Sequence, residues 1–168
     1  MSTTLRTERP IESNHHRRPV AVTGLAALFA ILSVGAIQGG LAMITDPMTP
    51  LGMPTSFLRR TPIDTYFWPG VFLLAIAGTS VVTTAGLITG WRWRWARRIE
   101  SAIGYRWPLL GAVATGSVLL AFEIVELFMV PFHPVMHPLL IAGSVILIGL
   151  ALTSSTRNHL RVGDRAGR

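Results

Sequence analysis

The chain alternates between long apolar blocks and short polar segments. Four blocks, at about residues 20–44, 71–89, 108–130 and 138–155, are free of charged residues apart from two glutamates in the third. Each block is close to the roughly 20 residues that an α-helix needs to cross a hydrocarbon core of about 30 Å. The pattern therefore predicts an all-α, polytopic membrane protein. Its four transmembrane helices are expected to form a four-helix bundle of two helical hairpins.

The polar ends of the chain predict two tails outside this transmembrane domain, which would span residues 20–155. Residues 1–19 have no hydrophobic periodicity and are expected to be flexible. Residues 156–168 are expected to form a basic tail. The first apolar block has about 25 residues, whereas the apolar region of a signal peptide has about 7–15, so we expect this block to be a retained helix.

Tryptophan and arginine are concentrated beside the apolar blocks. Tryptophan favours the headgroup level of a bilayer, and arginine can extend its charged end to anionic lipid. Nucleic-acid-binding proteins also mix aromatic and basic residues, but the richest run here, residues 91–107, joins two apolar blocks directly. We therefore expect membrane lipids and no nucleic acid as partners. The predicted interfacial anchors are Trp68, Trp91, Arg92, Trp93, Arg94, Trp95, Arg97 and Arg98.

The net charge of +7 comes from 15 basic residues, all of them arginine, and eight acidic residues. Thirteen of the arginines lie in the N-terminal tail, in residues 91–107 and in the C-terminal tail. The proline-rich segment 45–69 holds the other two, and the turn at 131–138 holds none. By the positive-inside rule, both termini are expected to be cytoplasmic. The expected location is a bacterial plasma membrane, which the chain crosses several times.

Two carboxylates interrupt the third apolar block and are the strongest indication of a functional site. Glu123 and Glu126 are three residues apart, so they share one face of a helix. An ionised carboxylate at the centre of a membrane helix costs roughly 2.5–3.5 kcal/mol on insertion scales. Counting about 1.5 Å per residue from the outer helix ends gives similar depths for several other polar residues. The predicted intramembrane polar layer consists of Gln38, Thr79, Ser80, Glu123, Glu126 and Ser144.

Four interpretations of this layer remain open from the sequence. The carboxylates can form hydrogen bonds that lock the helices together, carry protons or cations, or simply lie exposed at the membrane interface. They can also contribute to a metal site of Glu126, His133 and His137, because carboxylate oxygen and imidazole nitrogen are suitable zinc ligands. Prolines around the two histidines make the helical spacing between these three residues uncertain.

Glycine pairs in the first two blocks predict close helix packing. Gly35 and Gly39 form a Gly-xxx-Gly pair, and Gly86 and Gly90 form a second one. Such pairs allow two helix backbones to approach each other. For the first pair, the partner helix is expected within the chain, with dimerisation as the alternative.

Several local motifs resemble those of an uncharacterised group of small four-helix integral membrane proteins that is common in actinobacteria. The resemblance covers roughly residues 20–152, and the matching residues are Gly39–Gly40, Asp46–Pro47, Leu51–Gly52–Met53–Pro54, Thr61–Pro62, Tyr66, Pro69–Gly70, Val125–Glu126 and Gly143. The group often has glycine two residues after the Asp–Pro pair, where this chain has Thr49. The resemblance implies a four-helix membrane fold and implies no chemistry.

The sequence contains no cysteine, which excludes disulfides, thiol chemistry and cysteine-ligated metals. It shows no nucleotide-binding motif and no nucleophile–base arrangement, so neither enzymatic activity nor a cofactor is expected. The leading hypothesis is a non-catalytic accessory or interaction subunit, with a protein partner or a homo-oligomer. The alternative is a small oligomeric transporter or channel that is coupled to protons or cations through Glu123 and Glu126.

Overall fold

A computed structural model describes residues 19–91, 93–94, 96–129 and 134–162. These residues are helical apart from turns and one isolated bridge, Tyr105 to Arg161, and they contain no β-strand. The helices are α1 (Val20–Thr45), α2 (Phe67–Thr89), α3 (Ala96–Ile103), α4 (Trp107–Met129), α5 (Met136–Leu152) and α6 (Ser154–Leu160). Two short 3₁₀ helices, Pro50–Gly52 and Thr55–Arg60, interrupt the segment between α1 and α2.

Three of the described helices are long and apolar enough to cross a membrane: α1, α2 and the Trp107–Phe128 part of α4. A fourth span is present if α5 and α6, which are bent by 56° relative to each other, are counted together. The sequence-based prediction of an all-helical protein with helices of membrane-spanning length is confirmed. The apolar residues form helices here because only a helix satisfies the backbone N–H and C=O groups within one segment in lipid.

The four long helices contact one another in the cyclic order α1, α2, α4, α5, and each neighbouring pair is antiparallel. Gly40 of α1 meets Gly70 of α2, while Phe72 of α2 stacks on Phe122 of α4 with ring centroids 4.6 Å apart. The antiparallel order places the segment 46–66 at one end of the protein, which we call the loop end. Helices α3 and α6 lie at the opposite end.

The hydrophobic core is concentrated towards the α3–α6 end. Leu25 and Phe29 of α1 are fully buried there, together with Ala112 of α4 and Ala151 of α5. At the same end, the indole of Trp107 lies so close to Gly86 that any side chain at that position would collide with it. Gly86 therefore acts as a contact surface for an aromatic ring. Gly90, the other member of the predicted Gly-xxx-Gly pair, instead ends α2 with φ +66°.

The predicted fourth helix, 138–155, is divided in the structure. Helix α5 already begins at Met136 and ends at Leu152, and α6 starts after Thr153. The Thr153 hydroxyl accepts a hydrogen bond from the backbone N–H of Thr156 at 3.3 Å, which caps the new helix. Residues that were predicted to belong to a C-terminal tail are thus helical up to Leu160. The predicted flexible tail, residues 1–19, lies outside the described residues except for Pro19.

The segment 91–107 contains a short helix, α3, in addition to the predicted anchors. Trp91, Arg94, Arg97 and Arg98 are exposed, whereas Arg92 and Trp95 lie outside the described residues. Trp93 contacts the rings of both Trp91 and Trp107, with centroids 5.4 and 5.9 Å apart. At the other end of the molecule, the predicted anchor Trp68 is also exposed.

A buried glutamate of α3 caps the start of α4. The Oε1 atom of Glu100 accepts a hydrogen bond from the backbone N–H of Trp107 at 3.0 Å. The carboxylate therefore satisfies one of the free N–H groups of the first turn and faces the positive end of the helix dipole. The backbone N–H of Arg106 donates to the carbonyl of Leu160 at 2.8 Å, so the end of α6 is joined to the same turn.

Candidate functional site

The loop end of α4 and the first turn of α5 bring three ionisable side chains together. One potential ligand atom from each of Glu123, Glu126 and His137 lies within 4.8 Å of the other two. The two glutamates face the same way because they are three residues apart on α4. His137 is the second residue of α5, which runs antiparallel to α4, so the histidine lies opposite the last turns of that helix.

Two members of this cluster are almost completely removed from solvent. Glu123 retains 3% of its accessible surface and His137 retains 5%, while Glu126 is half-buried. The Oε2 atom of Glu123 is buried and has no hydrogen-bond partner among the described residues. Burying a charged group without a partner is costly, and the two carboxylates also repel each other. The attraction between His137 and Glu126 offsets part of this cost.

Tyr66 lies close enough to Glu126 to interact with it electrostatically, which the sequence did not predict. Only 6% of the surface of Tyr66 is exposed. The hydroxyl donates a hydrogen bond to the carbonyl of Pro54 at 3.0 Å, and the backbone N–H donates to that of Pro47 at 2.9 Å. Burial, followed by the charge of Glu126, raises the pKa of the phenol. The segment 46–66 therefore reaches the edge of the site.

The same segment shows the structural role of Thr49, which occupies the position where the resembled group often has glycine. The Thr49 hydroxyl donates to Oδ2 of Asp46 at 2.9 Å, and its backbone N–H donates to Oδ1 at 3.1 Å. These hydrogen bonds, that of the hydroxyl most of all, hold the pKa of Asp46 below its usual value. Thr49 thus stabilises the turn that follows α1.

Two members of the predicted polar layer do not face the cluster. Gln38 is exposed on the outer surface of α1. Thr79 also lies on an exposed position, and its hydroxyl donates to the carbonyl of Ile76 in its own helix at 2.9 Å. The depth count was insufficient in both cases, because depth along a helix does not determine which side of the helix a residue occupies.

Ser80 and Ser144 are buried, but they lie further from the loop end than the cluster does. Phe122, which precedes Glu123, stacks on Phe72, and Ser80 follows Phe72 by eight residues, or roughly 12 Å of helix. Ser144 lies next to Gly116, roughly 10 Å along α4 from Glu123. Its hydroxyl donates to the carbonyl of Leu140 at 2.8 Å. Of the predicted layer, Glu123 and Glu126 therefore lie together at the loop end, where His137 joins them.

The predicted metal ligands are brought together in part. Glu126 and His137 are neighbours, and Glu123 joins them as the third group. His133 lies outside the described residues. The predicted metal site omitted Glu123. The spacing of three between the glutamates could have indicated it, because any ligand that reaches one carboxylate from the facing helix also approaches the other.

Comparisons of the chain with protein families, with curated proteins and with solved structures give no match.

Proposed function

We propose that this chain is a non-catalytic accessory or interaction subunit of a bacterial plasma membrane. In this proposal four transmembrane helices form a bundle of two hairpins, α1 with α2 and α4 with α5, as in the small actinobacterial proteins that the sequence resembles. The arginine distribution supports cytoplasmic termini and an external segment 46–66. Large apolar side chains on the outer surface, such as Ile31, Phe128 and Leu139, suit contact with lipid.

The observation that carries the accessory role is a shallow groove between α2 and α4 that is lined by small residues. Gly78, Gly111, Ala114 and Thr115 contribute to its walls, with Trp107 at one end. Small residues let a further helix approach closely, and in membranes such packing replaces the hydrophobic effect as the driving force for helix association. A partner helix in this groove would cover surface that the chain itself leaves open.

Purification of the full-length protein in mild detergent, followed by mass spectrometry, tests this role. We expect a stoichiometric protein partner that is lost in Gly78→Leu, because the added side chain fills the groove. No atom lies within 4 Å of a Cβ at Gly78 or at Gly35, so the first side-chain atom of either substitution meets open space. Gly35→Leu, on the open face of α1, is the matched control and should retain the partner. A monodisperse monomer without a partner contradicts the accessory role.

A second candidate function is favoured by the buried carboxylates. An oligomeric transporter or channel that couples to protons or cations would use Glu123, whose Oε2 atom has no hydrogen-bond partner, together with Glu126. In proteoliposomes we expect no pH-driven flux from the parent protein and unchanged thermal stability in Glu123→Gln, since the amide keeps hydrogen-bonding capacity without the charge. A proton-coupled flux that Glu123→Gln abolishes, with the fold intact, favours transport instead.

A further inference from the structure

The three clustered side chains differ in chemistry from the buried serine hydroxyls of the described residues and from Glu100; the hydroxyls of Ser80 and Thr84 also have no hydrogen-bond partner there, but they carry no charge. Ser33 and Ser144 donate to backbone carbonyls of their own helices at 2.7 and 2.8 Å, and Glu100 accepts a backbone N–H. At the loop end, by contrast, two carboxylates and an imidazole converge on one another, and one carboxylate oxygen is left without a hydrogen bond.

We propose that Glu123, Glu126 and His137 bind one divalent first-row transition-metal ion, of which Zn²⁺ is the representative, and thereby connect α4 to α5. The site is of mixed oxygen and nitrogen type, with three ligands from the protein. This inference goes beyond the accessory role and does not rest on it.

The geometry suits a zinc ion after small side-chain movements. Ligand atoms at about 2.1 Å from a tetrahedral Zn²⁺ lie roughly 3.4 Å apart, and the three candidate atoms are already within 4.8 Å of one another. Each can approach the ion by side-chain rotation, because the two helices position the ligands from opposite sides. Three protein ligands leave the fourth tetrahedral position for another donor.

The charge balance also favours a dication. The four long helices contain no arginine or lysine, and Glu123 and Glu126 are their only acidic residues. A divalent cation would neutralise both carboxylates, remove their mutual repulsion and give the buried Oε2 of Glu123 a partner. A buried charge is tolerated when it is paired or coordinates a metal.

The imidazole indicates which class of metal the site prefers. Mg²⁺ and Ca²⁺ take oxygen ligands almost exclusively, and Mg²⁺ requires near-octahedral geometry. Imidazole nitrogen suits zinc and other first-row transition metals. A site that contains His137 and only two carboxylates is therefore expected to select Zn²⁺ over Mg²⁺.

Zinc titration of the full-length protein in lipid nanodiscs tests the proposal. The protein carries a tag without histidine, is first treated with a chelator, and is titrated with ZnCl₂ by calorimetry in excess Mg²⁺. We expect one Zn²⁺ per chain. His137→Ala should weaken the affinity by more than about 100-fold, since loss of even an outer-shell partner of a metal ligand typically costs about 10–100-fold. Glu123→Gln, which preserves side-chain shape, should also weaken it strongly.

Two controls separate this site from adventitious binding. His15 and His16 in the N-terminal tail and His159 on α6 are imidazoles that the proposed site does not use, and their replacement by alanine should leave the affinity unchanged. Size-exclusion profiles and circular dichroism establish whether each variant is folded. If His137→Ala does not fold, Glu123→Gln still decides the test. The proposal is overturned if no stoichiometric Zn²⁺ binds, if Mg²⁺ displaces it, if folded Glu123→Gln binds it unchanged, or if binding follows the tail histidines.

Discussion

Gly40→Ala is expected to destabilise the protein by about 1–3 kcal/mol, the usual cost of forcing an extra group into a packed interior. A Cβ atom at Gly40 would lie 2.9 Å from the carbonyl oxygen of Gly70 and 2.9 Å from Cγ of Leu74. The carbonyl belongs to the backbone of α2, so α1 and α2 would have to separate. Gly70→Ala should have a similar effect, because its Cβ would lie 2.8 Å from Cβ of Met43.

Gly35→Ala is the matched control on the same helix. No atom lies within 4 Å of a Cβ built at Gly35, and alanine is favoured over glycine in a helix interior by about 0.8–1.0 kcal/mol. This substitution should therefore leave the stability unchanged or raise it. Unfolding titrations in mixed detergent micelles measure all three variants, and equal destabilisation by Gly35→Ala would contradict the helix contact described here.

Replacement of the buried residues Glu123 and Glu100 by leucine is expected to change the free energy of unfolding in opposite directions. In metal-free protein, Glu123→Leu should raise the free energy of unfolding by about 1–3 kcal/mol, since that is the usual cost of a buried polar group that has no hydrogen-bond partner. It removes an oxygen without a hydrogen bond and the repulsion between the two carboxylates, while His137 stays beside Glu126.

Glu100→Leu is the comparison, because Glu100 is similarly buried, with 7% of its surface exposed against 3% for Glu123. Its carboxylate accepts the backbone N–H of Trp107, so leucine would leave that donor unpaired at a cost of about 1–3 kcal/mol. The same unfolding titrations in the presence of a chelator give both values. Destabilisation by Glu123→Leu as large as that by Glu100→Leu would mean that Glu123 has a structural partner.

The sequence was sufficient to predict the helical class, because each block of about 20 apolar residues has only one way to satisfy its backbone in lipid. It was also sufficient to place Glu123 and Glu126 on one face, which follows from helix geometry alone. The end of the fourth helix was less predictable. Ser154 and Ser155 could extend the block, and only the capping geometry at Thr153 shows that they begin a new helix.

The orientation of each helix about its own axis could not be read from the sequence. Helix α1 is apolar on all sides, so no hydrophobic periodicity distinguishes buried Phe29 and Ser33 from exposed Ile31 and Gln38. The Gly-xxx-Gly pair had the same limitation. Its first member, Gly35, faces open space, and the close contact with α2 is made by Gly40.

Tyr66 was missed for a different reason. Its role depends on the path of a proline-rich segment, which places Pro54 against the phenol although the two residues are 12 positions apart. No periodic pattern carries that information. Glu100 belongs to the same category, since its partner Trp107 lies beyond the end of its own helix.

The unequal lengths of the helices have a consequence for the kind of bilayer that suits the proposed bundle. Helix α1 has 26 residues and rises roughly 39 Å, whereas α5 has 17 residues and rises roughly 26 Å. A hydrocarbon core of about 30 Å is thinner than one helix and thicker than the other. Helix α1 would have to tilt, and the membrane would have to thin around α5. Acyl-chain length would therefore act on this protein through hydrophobic mismatch, and most directly at α5, which carries His137.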